Sequence, residues 1–313
     1  MPSRRTLLTT LAALPLATVP ALAASRPSIV ATTGMIADAV AGIAGDRVNL
    51  TTLMGPGVDP HGYRQTRSDI VALTRADLVL CNGLHLEAQM TEFLDRLAAR
   101  TRVVAVAEAV PENLVIHRST RSDPHVWMVP SLWRHAVGAV EMALTALLPD
   151  QTDALRANAQ AYLAQMDRLQ TYAQDMLTGV PEAARVLVTA HDAFGYFGRD
   201  FGFQVEGIQG ISTESEAGLN RIRSLTDLLV DRQIGAVFVE SSVSDRNLRA
   251  LIEGAAARGH RVTVGGELYS DAMGAPGTYE ATYVGMIDHN VTTIAGALGA
   301  DVPARGMTGR LGA

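Results

Sequence analysis

The sequence predicts an α/β protein in which two halves, each with about four mostly parallel strands, flank one long helix. Two observations carry this expectation: short strand-like runs alternate with helical segments in two separate sets, and residues 150–178 contain neither Gly nor Pro. In the first set, Ser28–Thr32, Val48–Leu53, Leu78–Cys81 and Val103–Ala107 read as strands. Met35–Ile43, Ser68–Thr74 and Leu86–Leu97 read as the helices between them. The Gly- and Pro-free stretch follows, with apolar side chains at Leu155, Ala159, Tyr162, Leu163, Met166, Leu169, Ala173 and Met176, a helical period. Asp150 is placed to cap its start and Gly179 with Pro181 to stop it, so the helix spans about 40 Å at 1.5 Å per residue. In the second set, Val186–Ala190, Val205–Ile208, Ala236–Glu240 and Val262–Leu268 read as strands. Leu219–Arg232, Asp245–Arg258 and Tyr279–Leu298 read as helices.

The resulting division is a signal peptide over residues 1–24, an N-terminal lobe over 25–148, a linking helix over 149–180, a C-terminal lobe over 181–300 and a tail over 301–313. The tail is Gly-rich and expected to fray. The first segment has Arg4 and Arg5, an apolar run from Leu7 to Leu22 broken by Pro15 and Pro20, and small residues at Ala23 and Ala24. That is the pattern of an export signal, too short for a membrane span, so the mature chain is expected in the periplasm and not across the membrane. Ser3-Arg4-Arg5-Thr6-Leu7-Leu8 also suits twin-arginine export, and an ordinary Sec signal remains the alternative. The cleavage junction lacks a Cys, which argues against a lipid anchor there.

A hydrophobic content of 48% supports full-sized cores, and a net charge of −6 without a basic stripe argues against nucleic acid as a partner. With Cys81 as the single cysteine, an intramolecular disulfide is excluded. Its place in an apolar strand predicts a buried, inert thiol.

The chemistry concentrates in histidines. Two share one context, Asp59-Pro60-His61 and Asp123-Pro124-His125. Proline fixes the backbone before each imidazole, and a carboxylate two residues upstream can orient the ring or cap a helix. Either motif alone also fits an ordinary turn with a surface His. His191 ends the apolar run Val186–Ala190, and Asp271 lies three residues beyond Val262–Leu268. Open α/β sheets place ligands beyond the carboxyl ends of their strands, although a lone Asp there is equally a helix cap. His85 stands near a helix start, where it can line a cleft. His117, His135 and His260 read as surface residues, and His289 as a helix residue that packs or caps.

Gly57–Tyr63 (G-V-D-P-H-G-Y), Asn82–Glu87 (N-G-L-H-L-E), Asp123–Trp127 (D-P-H-V-W), Thr189–Phe197 (T-A-H-D-A-F-G-Y-F), Val239–Ser242 (V-E-S-S) and Gly265–Gly274 (G-G-E-L-Y-S-D-A-M-G) appear in this order along the chain. Together they resemble the TroA/ZnuA-type solute-binding proteins of ABC metal importers, over nearly the whole mature length. The resemblance implies two (β/α)4 lobes joined by one rigid helix, and a monomer that hands its cargo to an ABC permease in the inner membrane. It implies one divalent ion, Mn2+ or Zn2+ with Fe2+ as a third candidate, held by His61 and His125 from one lobe and by His191 and Asp271 from the other. Manganese-type members commonly carry Glu where this chain has His191. Many zinc-type members carry a long His-rich loop where Val115–Ser122 is short. The chain thus resembles the TroA-like branch, and the long helix predicts a small closure of the lobes.

Two other classes compete with transport. A periplasmic zinc hydrolase would need an open coordination position and a general base, for which Glu206, Glu240 and Glu267 are the candidates. No H-E-x-x-H motif is present. A metal-stabilised adhesin or sensor is the third reading.

Overall fold

The computed structural model describes residues 26–118 and 121–312. The export signal expected over residues 1–24 lies outside them. In the N-terminal half, β1 (Ser28–Ala31), α1 (Gly34–Ala44), β2 (Asn49–Thr52), α2 (Arg67–Arg75), β3 (Leu78–Cys81), α3 (Thr91–Leu97) and β4 (Arg102–Ala105) follow in turn. The four strands form one parallel sheet in the order β2-β1-β3-β4. All four residues of β3 are buried, as parallel strands covered on both faces should be. A two-residue antiparallel pair, β5 (His117–Arg118) with β6 (Arg121–Ser122), precedes α4 (Pro130–Leu147). The reading of the sequence placed no helix there. Yet Leu132, Trp133, Ala136, Val137, Val140, Ala143 and Leu144 repeat at three- and four-residue steps, all buried, behind Pro130 in the first turn.

The long helix is α5 (Thr152–Thr178), preceded by a single 3-10 turn at Pro149–Gln151. Asp150 does not cap it; Gln151 holds the cap position and makes no side-chain capping bond. Beyond it come β7 (Val186–Thr189), α6 (Gly195–Phe201), β8 (Gln204–Gly207), α7 (Leu219–Asp231), β9 (Ala236–Glu240), α8 (Arg246–Ala257), β10 (Thr263–Leu268) and α9 (Tyr283–Ala297). The strands pair in parallel as β7 with β8 and β9 with β10, and β7 lies beside β9. The spatial order β8-β7-β9-β10 therefore repeats that of the first half.

Each sheet separates an outer from an inner layer. In the first half the outer core joins Val30, Val79, Leu73 and Leu94 under α2 and α3. In the second it joins Val186, Val188, Leu229 and Leu251 under α7 and α8. The inner layers merge into one core in which α1, α4 and α9 all pack on α5. Leu155, Ala159, Tyr162, Met166, Leu169, Ala173 and Leu177 form its buried stripe. Polar pins reinforce this junction. Asp38 on α1 accepts from the Tyr162 hydroxyl of α5 at 2.6 Å and from the Tyr283 backbone N–H at the start of α9 at 3.1 Å. The Tyr283 hydroxyl donates to the Trp127 carbonyl at 2.8 Å, and the Trp127 indole N–H donates to the Ser270 carbonyl at 2.7 Å.

The tail does not fray. The Met307 N–H donates to both Asp288 carboxylate oxygens at 2.9 and 3.0 Å, and Arg310 lies 4.6 Å from the Tyr279 ring centre. Gly306, at φ 68°, packs so closely that a Cβ would lie 2.5 Å from Asp288 Oδ1. The glycines that suggested fraying instead make the turns that dock this segment.

Because α5 belongs to the inner layer of both halves, the protein should unfold in one transition. Trp127 and Trp133 report the junction of the halves, through Ser270 and Tyr283, so tryptophan fluorescence and far-ultraviolet circular dichroism should trace superimposable urea curves; separated midpoints would refute this. Leu169→Ala, at a fully buried α5 position, should cost about 2–5 kcal/mol in the same experiment.

Candidate metal centre

The four candidate side chains converge from loops that follow strands of both halves. His61 lies between β2 and α2, His125 just after β6, His191 just after β7 and Asp271 just after β10. One donor atom from each lies within 4.8 Å of all the others, and none of the four residues is more than 2% exposed. His125 Nε2 stands 3.3 Å from His61 Nε2 and 3.4 Å from His191 Nε2. The Asp271 carboxylate approaches His61 Nε2 at 3.7 Å, His125 Nε2 at 3.4 Å and His191 Nε2 at 3.2 Å. The His125–His61 and His125–His191 separations of 3.3 and 3.4 Å correspond to tetrahedral corners about 2.0–2.1 Å from a shared centre, the Zn–N bond length. Neither Asp271 oxygen receives a well-directed hydrogen bond. A buried carboxylate left in this way is costly unless a cation compensates it.

The remaining ring and backbone groups are held in place. His125 Nδ1 lies 2.7 Å from Asp123 Oδ1, and the same oxygen accepts the His125 backbone N–H at 3.0 Å. Glu240, at the end of β9, holds His191 in the same way: one oxygen 2.5 Å from Nδ1, the other accepting the backbone N–H at 2.8 Å. Each carboxylate draws the N–H to Nδ1 and turns Nε2 toward the cluster, where its lone pair is available once the ring is deprotonated. Asp59 holds His61 only through the backbone, accepting its N–H at 2.9 Å, and does not bond the ring. The Asp-Pro-His spacing thus serves both motifs through the backbone, and the second through the ring as well. Glu240 was legible only as a candidate base, because its pairing with His191 joins residues 49 positions apart. Asn82 adds support by donating to the Pro124 carbonyl at 3.2 Å, while buried Glu87 accepts the Asn82 N–H at 2.7 Å and the Thr32 hydroxyl at 2.6 Å.

The other histidines stand apart from the cluster. His85 has a left-handed backbone, φ 65°, and lines a separate cavity of about 750 Å3 with Glu87, Asp95 and Glu108. His117 is exposed and pairs with Glu112 at 3.1 Å. His135 lies on α4; His260 Nε2 contacts the Ile234 carbonyl, and His289 on α9 contacts the Glu267 carbonyl. Cys81 is buried, and burial pushes its thiol up.

Electrostatics divides the imidazoles. Burial, with the positive charge of His125 and His191, lowers His61 to about 3 against the pull of Asp271. Burial also opposes charge on His125, but Asp123 and Asp271 outweigh it and hold that ring at about 9. His191 is likewise raised, burial being overcome by Glu240 and Asp271. Burial would raise Asp271, yet the His191 charge keeps it well below the usual carboxylate range.

A pair of α/β halves set on one spine helix, with a buried three-nitrogen, one-carboxylate cluster where their strands end, defines a bilobal ion-binding class of protein. Within that class the chain belongs to the ZnuA family, described as zinc-uptake complex component A, periplasmic, whose model matches residues 29–297. It is 48% identical over 272 residues to the manganese-binding lipoprotein MntA of Bacillus subtilis (strain 168), covering 86% of this chain and 89% of that protein. It is also 48% identical over 279 residues to the zinc-binding protein TroA of Treponema pallidum (strain Nichols), covering 89% and 91%. A solved structure of the periplasmic zinc-binding TroA from Treponema pallidum superposes with a TM-score of 0.86, at 48% identity over 87% of this chain and 99% of that one.

Two outcomes follow from this geometry. His125, held at about 9, and His191, raised above the ordinary imidazole value by Glu240 and Asp271, both favour the protonated ring at neutral pH, so an incoming cation competes with protons there. Calorimetry in buffers of different ionisation enthalpy at pH 7 should therefore register close to two protons released per ion. Affinity should rise with pH through the neutral range, and the His125 contribution to that rise should end above about pH 9. PH-independent binding would contradict this. Glu240→Gln should weaken metal binding by about 10–100-fold with the fold retained.

Proposed function

We propose that this protein captures one divalent transition-metal ion outside the cytoplasm and delivers it to a membrane ABC permease. The observation that carries the reading is the Asp271 carboxylate, fully buried, without a hydrogen bond, and faced by three imidazoles whose outer nitrogens or backbones are tied to other groups. His61, His125, His191 and Asp271 are the proposed ligands. Capture and release suit a site split between two halves, because each half brings two ligands and occupancy then alters how the halves meet. The shared inner core and the Asp38 and Trp127 pins favour a small rather than a large closure.

Manganese and zinc are both proposed cargoes. The relatives are split in name between them, and the donor set has the same breadth. Three imidazoles and a carboxylate oxygen suit tetrahedral zinc, and a carboxylate using both oxygens would raise the coordination number toward manganese or iron. Extracytoplasmic placement is supported by the export pattern of residues 1–24 and by the lipoprotein and periplasmic descriptions of the relatives. We place the mature chain in the periplasm as a monomer. Among the described residues no helix is long and apolar enough to cross a membrane. Of the three candidate bases for the hydrolase reading, Glu240 uses both oxygens on His191, Glu206 pairs with Arg221 at 2.8 Å, and Glu267 is exposed on β10 while the cluster is buried.

Mature protein purified without chelator should contain one ion per chain by elemental analysis. In competition zinc should bind more tightly than manganese, following the intrinsic order of divalent affinities. His191→Ala should lose metal affinity severely. A mutant that binds zinc as tightly as the parent would show that the ligand set is wrong.

A further inference from the structure

The three imidazoles are not secured equally. His125 and His191 each have a carboxylate on the outer ring nitrogen, from Asp123 and Glu240. His61 is fixed through its backbone, by the Asp59 oxygen that accepts its N–H at 2.9 Å. The second Asp59 oxygen is taken from the opposite half of the molecule: it accepts the hydroxyl of Thr213. Asp59 is thus a two-ended bracket, with one oxygen on His61 and the other on a residue 154 positions away.

Thr213 belongs to the segment between β8 and α7. At its root this segment is bonded to the turn that carries His191: the Gln209 N–H donates to the Ala190 carbonyl at 2.9 Å, and the Asp192 N–H donates to the Gly210 carbonyl at 3.2 Å. At its tip it meets the N-terminal half, where Thr213 reaches Asp59 and Glu214 reaches Gln89 and Arg121. The segment therefore links the His191 turn of one half to the His61 turn of the other. A polar cleft of about 190 Å3 lies beside the Asp59–Thr213 contact, lined also by Gln209, Glu216, Ser242 and Asn247. Side chains there already face water, so the hydroxyl bond can exchange for solvent without opening the apolar core.

We propose that Thr213 is a positioning residue for ion release: its hydroxyl, through Asp59, holds His61 in the ligand cluster, and breaking that one bond lets His61 leave first. The proposal rests on the reading of the cluster as the cargo site. It assigns the rate of release to a single contact between the halves and needs no large rotation of them about α5. Association should be less affected, because the ligands still meet when the halves are together.

Thr213→Val keeps the shape and branching of the side chain and removes the hydroxyl. In the mature full chain loaded with Zn2+ and mixed with excess chromogenic chelator, this variant should release the ion at least about tenfold faster than the parent, as loss of a hydrogen bond to a carboxylate implies. One ion per chain should still bind, and the thermal midpoint of the metal-free protein should stay unchanged. Thr213→Ser restores the hydroxyl and should restore slow release. Release from Thr213→Val at the parent rate would overturn the proposal, as would Thr213→Ser releasing as fast as Thr213→Val, since restoring the hydroxyl would then not restore slow release. A parent protein that binds no Zn2+ would instead overturn the cargo-site reading beneath it.

Discussion

The buried Asp271 carboxylate is the constraint on which the rest of the structure depends. It is 2% exposed, neither oxygen is hydrogen-bonded, and its neighbours are three imidazole nitrogens between 3.2 and 3.7 Å away. A charge in that position needs a positive partner, and the surrounding architecture supplies positive groups in a defined geometry. Protons on His125 and His191 can meet the need, and so can a divalent ion that displaces them. In the proposed reading that competition makes ion binding reversible, since the same carboxylate is neutralised in either condition.

Holding four donors to a fraction of an ångström requires rigid supports, and these come from both halves at once. Asp123 and Glu240 orient two rings, while Asn82 and Glu87 brace the Asp123-Pro124-His125 turn from β3. The Trp127–Ser270 bond ties a residue two positions after His125 to the residue just before Asp271. Underneath, α5 carries α1, α4 and α9 in a single core, so the halves cannot separate widely without exposing apolar surface. The bonds at the strand-end loops are polar and few, so those loops can move at less cost than the core beneath them.

Much of this was legible in the sequence. Strand runs and helical periods located eight strands of the two sheets and the spine helix, because a parallel strand such as Leu78–Cys81 is apolar throughout and α5 keeps one buried stripe. The Asp-Pro-His repeats and the strand-end positions of His191 and Asp271 identified the four side chains that converge. Other features depend on contacts distant in sequence. The role of Glu240 appears only when β9 lies beside β7. The docked tail depends on Asp288 meeting Met307, which Gly-rich composition alone does not predict. Helix α4 is different: its period is present in the sequence at Leu132–Leu144, and no capping side chain marks its start.

The measurement that tests the central claim most directly is anomalous diffraction at the zinc absorption edge from crystals of the mature protein loaded with Zn2+. The account predicts one strong peak per chain, enclosed by His61, His125, His191 and Asp271 at about 2.0–2.3 Å from a donor atom of each. A dominant peak elsewhere, or a peak from which His191 or Asp271 stands apart, would contradict it.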